Sequence, residues 1–195
     1  MLFPLFCVLQ LWGPLASYAA VKLPVRSTRS DLLIPGRPYS MVAVDGAGGG
    51  VTLGPRDNRS SWDSVILDQN PSSNGILVKI QTMNPNASDI RVSTDLNIEF
   101  LTPNATGNVW QVSPFDNVTK QYFISTGGQL TDKGARNVNS WFRIEKNDFY
   151  YNLRFCPSVC KTCKVLCKDV GVYNDGGVRR LALSDMPLRV VFFWS

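Results

Sequence analysis

Apolar positions along this chain come in short runs, many alternating with polar ones, and sustained helical spacing is hard to find. The runs fall at residues 51–53, 65–67, 76–80, 96–101, 109–112, 122–124, 141–144, 150–155, 178–183 and 188–193. Between them lie clusters of turn formers, such as Asp45-Gly46-Ala47-Gly48-Gly49-Gly50 and Asn174-Asp175-Gly176-Gly177. About ten short strands punctuated in this way predict an all-β sandwich or barrel. No low-complexity linker interrupts the series, so one domain is expected.

A faint internal echo refines this. Asn97-Ile98-Glu99-Phe100 and Asn152-Leu153-Arg154-Phe155 share a pattern at a separation of 55 residues. A period near one third of the chain suits a three-fold architecture such as a β-trefoil.

The first 20 residues differ in composition. Residues 1–15 are almost wholly apolar, carry no charged side chain and lead into Ala16-Ser17-Tyr18-Ala19-Ala20. Such a run ending in small residues reads as a secretory signal, residues 1–20, cleaved after Ala19 or Ala20. It is too short to span a bilayer comfortably. Residues 21–195 are then a single domain long enough to bury a sizeable core. No second long apolar segment follows, so no membrane association is expected after signal removal, and the product is secreted, extracellular or vacuolar.

The net charge of +5 is mild, and Arg179-Arg180 is the only adjacent cationic pair. A nucleic-acid surface needs a denser basic stripe with interleaved aromatics, so no nucleic-acid partner is expected. The chain has no histidine. That removes Ser-His-Asp and Cys-His nucleophilic machinery and His-based zinc sites. No carboxylate pair stands out either, so no enzyme, metal or cofactor is expected. Four sequons, at Asn58, Asn86, Asn104 and Asn117, mark exposed loops able to carry N-glycans in an exported protein.

Cys7 leaves with the signal. The remaining four cysteines, Cys156, Cys160, Cys163 and Cys167, lie within one short segment. An even count in an exported domain points to two disulfides, for which three connectivities are open. Structural zinc draws ligand pairs from separated knuckles, and a redox Cys-x-x-Cys should open a helix. Neither context is present.

Several motifs add a resemblance. Ser125-Thr126-Gly127-Gly128, Trp141-Phe142-Arg143-Ile144-Glu145-Lys146 and Tyr151-Asn152-Leu153-Arg154-Phe155-Cys156-Pro157 resemble the plant Kunitz (soybean trypsin inhibitor) family in order and spacing. So do Cys167-Lys168-Asp169-Val170-Gly171 and Arg179-Arg180-Leu181-Ala182-Leu183-Ser184-Asp185. The cysteine arrangement and Arg91-Val92-Ser93-Thr94-Asp95-Leu96-Asn97-Ile98 resemble its miraculin-like branch. The resemblance implies a twelve-strand β-trefoil, nested bridges Cys156–Cys167 and Cys160–Cys163, and a monomer that blocks a serine endopeptidase with one exposed loop. A cysteine protease is a further candidate partner, bound through a different loop.

Inhibition of this kind works by preorganisation. A loop already held extended and cleavable binds without an ordering cost. The resemblance puts that loop at residues 83–91, with Ser88, Asp89, Ile90 and Arg91 around the scissile bond and Asp89 as P1, the side chain that fills the protease's specificity pocket; a register shifted by two would make Arg91, the nearest basic residue, P1 instead. An aspartate there would meet trypsin's pocket carboxylate as a like charge, so trypsin is a poor target.

The chain departs from the family elsewhere too. The sequon at Asn86 lies inside the loop, and Pro35 stands where the family has a loop-bracing asparagine. Ser61 and Asn104 replace the cysteines of its first disulfide. These departures favour an alternative, a non-inhibitory defence or seed-storage glycoprotein on the same fold. Trp110, Trp141, Phe142, Phe155, Leu181 and Leu183 are expected in the core, and Arg179 and Arg180 on a solvated hairpin.

Overall fold

In the computed structural model, which describes residues 21–44, 46, 48–56, 63–102, 107–130 and 135–194, the apolar runs become strands. The expected signal (1–20), the sequons at Asn58 and Asn104 and the position of Ser61 lie outside these residues. The twelve strands are β1 (Pro38–Ala43), β2 (Val51–Arg56), β3 (Asp63–Leu67), β4 (Val78–Thr82), β5 (Leu96–Phe100) and β6 (Val109–Val112), followed by β7 (Ile124–Gly128), β8 (Arg143–Asn147), β9 (Tyr150–Phe155), β10 (Lys168–Asp175), β11 (Val178–Ser184) and β12 (Arg189–Trp194). A 3-10 segment, Ala135–Ser140, precedes β8.

Six strands close a barrel. β1 pairs antiparallel with β12 and β4, β4 with β5, β8 with β9, and β9 with β12. The last seam is a bridge just ahead of β8, where Leu96 and Phe142 exchange backbone hydrogen bonds of 2.9 and 2.8 Å. The other six form the hairpins β2–β3, β6–β7 and β10–β11. These meet as a triangle through Ser64–Ser125, Ile66–Arg180 and Phe123–Ala182. A six-strand barrel capped by three hairpins is a β-trefoil.

The 55-residue echo marks equivalent positions. Arg154 sits beside the β9–β10 junction as Glu99 sits beside β5–β6 and Val42 beside β1–β2. The residues preceding these, Leu153, Ile98 and Met41, all turn inward and are 2%, 0% and 0% exposed. Strand alternation produces this: in β9, Tyr151, Leu153 and Phe155 are buried while the residues between them are not. Each fully buried side chain of this size contributes about 1.5–3 kcal/mol. Trp110, Trp141, Phe142, Phe155, Leu181 and Leu183 are all buried, as expected.

Three elements depart from the pattern. β1 begins on a proline and buries Ser40 beside its apolar Met41-Val42-Ala43, and β10 sets Val170 and Val172 among Gly171, Tyr173 and several polar residues, so neither shows a regular polar–apolar alternation. β7 lies later than expected because Ser125 and Thr126 are buried within the cap. The Ser125 hydroxyl accepts from Ser113 Oγ at 2.7 Å, and Thr126 Oγ1 accepts from Asp63 N at 3.2 Å. Gly128 completes this strand because a Cβ there would collide with the Trp110 carbonyl and the Ser140 hydroxyl.

The expectation for Arg179 and Arg180 needs correcting. Both lie on the β10–β11 hairpin, but Arg180 is 11% exposed, pairs with Asp175 at 2.8 Å and stacks 3.6 Å from the Phe123 ring centroid. Arg179 donates to the Asp68 carbonyl. Their guanidiniums join the cap instead of pointing into water. The cysteines form Cys156–Cys167 and Cys160–Cys163, a nested pair within the β9–β10 connection.

Candidate functional site

The loop between β4 and β5 divides into an exposed arc and a buried exit limb. Met83, Asn84, Pro85, Asn86 and Ser88 are exposed and Ala87 is half-buried. Asn84 organises this arc, as an Asn-Pro pair suits a turn that an asparagine side chain can close. Its carbonyl accepts from Thr82 Oγ1 at 2.6 Å and from Ala87 N at 3.1 Å, and its Oδ1 accepts from Asn86 N at 3.1 Å. Met83 N donates to the Asp95 carbonyl at 3.2 Å, closing the base.

The exit limb is bound to the segment that precedes β1. Ile90 N donates to Leu33 O and Ile90 O accepts from Val25 N, both at 2.8 Å, while Val92 N donates to Leu23 O at 2.9 Å. Val25, Leu33 and Ile90 are each 0% exposed. This segment is a strap across the limb, and Pro24 and Arg91 form a strand-like bridge within it.

Two carboxylates anchor the polar side. Asp89, 8% exposed, takes a two-point contact from Arg91, with Nε to Oδ1 and Nη2 to Oδ2 both 3.1 Å. Arg91 Nη1 also donates to the Lys22 carbonyl at 3.1 Å. Asp95, 5% exposed, accepts from Arg143 Nε at 2.9 Å and from the backbone N and hydroxyl of Ser158. Because Ser158 lies between Cys156 and Cys160, Asp95 ties the loop to the disulfide excursion. An open groove of about 470 Å³ runs alongside, walled by Lys22, Met83, Asp89, Thr94 and Ser158.

The expected site residues are therefore brought together but face different ways. Ser88 lies outside, Arg91 is partly exposed, Asp89 is nearly buried against Arg91 at the wall of the groove, and Ile90 points into the core. A P1 side chain has to project into a pocket on the protease, and Asp89 is buried because its charge is satisfied by Arg91. Asp89 and Ile90 are thus buried, whereas residues 83–88, one to six residues before Asp89, form the exposed arc. Pro35 makes no brace of the expected kind; Asn84, Asp95 and the strap hold the loop. The turn at Asn84-Pro85 was signalled by its dipeptide, whereas nothing local marks Asp95 or Ser158.

Asn86 is exposed in the middle of the arc, and Asn117 is exposed on the β6–β7 turn. Among the described residues, no group of His, Cys, Asp and Glu is placed to hold a metal, and no helix is long and apolar enough to cross a membrane. The arrangement offers a solvent-facing peptide with a fixed backbone and a groove of mixed polar and apolar lining.

Comparison with known proteins agrees with that geometry. Residues 25–193 match the legume Kunitz family model, described as trypsin and protease inhibitor. The chain is 43% identical over 175 residues to Kunitz trypsin inhibitor 5 of Arabidopsis thaliana, covering 89% of this chain and 86% of that one. It is 36% identical over 192 residues to miraculin of Synsepalum dulcificum, covering 92% and 87%. Among solved structures, a Kunitz-type cysteine protease inhibitor from potato superposes with a TM-score of 0.77 at 30% identity, covering 88% of this chain and 97% of that one.

Proposed function

This chain belongs to the plant Kunitz family of trypsin and protease inhibitors, and we propose that it is an exported, monomeric inhibitor of an endopeptidase of non-tryptic specificity. The observation that carries this reading is the preorganised β4–β5 loop: an exposed arc at 83–88 whose base and exit limb are fastened by the strap, by Arg91 and by Asp95. A protease meeting such an arc binds it without first ordering it. Strand-like backbone bonding on the exit limb keeps the ends of a cleaved loop together, which favours resealing over release.

Trypsin is disfavoured on specificity. Residues 83–88 contain no lysine or arginine, and the nearest arginine, Arg91, is committed to Asp89 and the Lys22 carbonyl. The small and apolar residues Met83, Pro85 and Ala87 suit serine proteases with apolar pockets, or cysteine proteases, of which the potato relative is a named inhibitor. The reading includes no catalysis, since the chain lacks histidine.

The test is titration of trypsin, chymotrypsin, subtilisin and papain with the pure protein. The expected result is stoichiometric inhibition of a non-tryptic enzyme and weak or absent inhibition of trypsin. No inhibition of any of them at micromolar concentration rejects the proposal.

One observation favours a second reading, a non-inhibitory defence or storage glycoprotein. Asp89 and Ile90, the residues expected at the scissile bond, are buried, and a glycan on the Asn86 sequon would stand in the way of a protease at the exposed arc. Abundance in seed vacuoles with no activity in the panel would select it.

A further inference from the structure

The turn joining β6 and β7 gathers features that protease binding does not use. Asp116 and Gln121 pair as an antiparallel bridge, and Phe115 and Tyr122, the next residues on the two arms, bring their rings to 4.9 Å at 50°. Phe115 and Tyr122 are 41% and 36% exposed, and Val118 at the tip is 73% exposed. The backbone around them is well fixed. Asp116 Oδ1 accepts from Val118 N at 2.7 Å and Thr119 N at 3.2 Å, and Asp116 O accepts from Lys120 N at 2.8 Å. Lys120 takes the left-handed conformation, φ 58°, that closes the turn.

Asn117 sits on this turn as an exposed sequon residue, with Phe115 two positions before it and Thr119 two after. The offset distinguishes it from the other three sequons, which have Arg56, Asn84 and Thr102 at the position corresponding to Phe115. An apolar aromatic pair in water is better covered than bare.

We propose that Asn117 carries an N-glycan whose first N-acetylglucosamine folds back over the Phe115–Tyr122 pair, making this glycan part of the fold. The C–H face of a pyranose ring is apolar and offers partial positive charge to the negative face of an aromatic ring. Attachment forms a bond from Asn117 Nδ2 to C1 of the sugar and breaks the C1–oxygen bond to a lipid-linked oligosaccharide pyrophosphate. The lipid pyrophosphate leaves, the amide loses one proton to the transferase, and nothing is oxidised or reduced. The inference rests on the export reading made above.

The test uses the full protein secreted from plant cells and trimmed enzymatically to one N-acetylglucosamine per site. Glycopeptide mass spectrometry should find Asn117 occupied. The trimmed protein should melt about 2–4 °C above Asn117→Gln, a shift that one aromatic contact gives in a domain of this size, and that increment should vanish in the Phe115→Ala background. The sugar at Asn86, with no aromatic at the same offset, should give no increment. In the unsubstituted glycoprotein, cross-relaxation between sugar protons and the Phe115 ring checks the contact without any variant. An unoccupied Asn117, an increment that survives Phe115→Ala, or no cross-relaxation overturns the proposal. If other sequons are occupied the failure is local to this turn; if none is, the export reading falls with it.

Discussion

The β4–β5 connection (residues 83–95) and the disulfide excursion between β9 and β10 (156–167) are of similar length, touch through Asp95 and Ser158, and are ordered by different means. The excursion is covalently stapled and sits largely in water; Lys161, Lys164 and Cys167 are exposed. The β4–β5 connection has no covalent tie. Its exit limb is buried through Ile90, strapped by the segment before β1 and anchored by two nearly buried carboxylates. Covalent stapling restricts the unfolded chain, whereas the burial and hydrogen bonds of the other loop act in the folded state. Order in the β4–β5 loop therefore depends on residues far from it in sequence.

That contrast can be broken in a graded way. The largest effect is expected from Ile90→Ala, which empties a fully buried site under the strap. It should cost about 2–5 kcal/mol in denaturant unfolding and weaken inhibition together with stability. Replacing Cys156 and Cys167 together by serine opens the outer bridge, which should cost about 2–3 kcal/mol. Inhibition at temperatures where the variant stays folded should be largely retained, because the strap, the Asp89–Arg91 pair and the Asn84 turn do not run through that bridge, and only the Ser158 contact to Asp95 is loosened. Equal loss of inhibition in the two variants would erase the distinction between the loops.

Smaller changes sharpen it. Asp95→Asn keeps the shape but leaves the Arg143 guanidinium without its carboxylate and weakens the Ser158 contact, a cost of about 1–3 kcal/mol. A double-mutant cycle with Ser158→Ala should show coupling, since both residues belong to one contact. Asn84→Ala removes a single turn-closing side-chain bond and should cost only about 0.5–1.5 kcal/mol. Its clearer signature is faster proteolytic nicking within residues 83–88, read by mass spectrometry of limited digests.

Much of this architecture was legible in the chain. Alternating runs located ten strands, and the Asn97 and Asn152 echo identified equivalent positions in a three-fold fold. β1 and β10 were missed for physical reasons: one begins on Pro38 and buries a serine, and the other buries only a short stretch around Val170 and Gly171. The loop was found from resemblance, but its orientation was not. Whether Asp89 projects depends on Arg91, two residues away, and whether Ile90 projects depends on Val25 and Leu33, more than fifty residues earlier. No local pattern encodes that. Asp95 likewise gains its role only when the fold brings Arg143 and Ser158 to it.

The most direct test of the account is mass spectrometry of the slowly cleaved inhibitor after incubation with the protease it blocks, run before and after removal of N-glycans. The account predicts a single cut within residues 83–88, with tighter inhibition once the Asn86 site carries no glycan. A cut between Asp89 and Ile90, or after Arg91, would contradict it, because those peptide bonds would then be the ones presented and the buried exit limb would have to open.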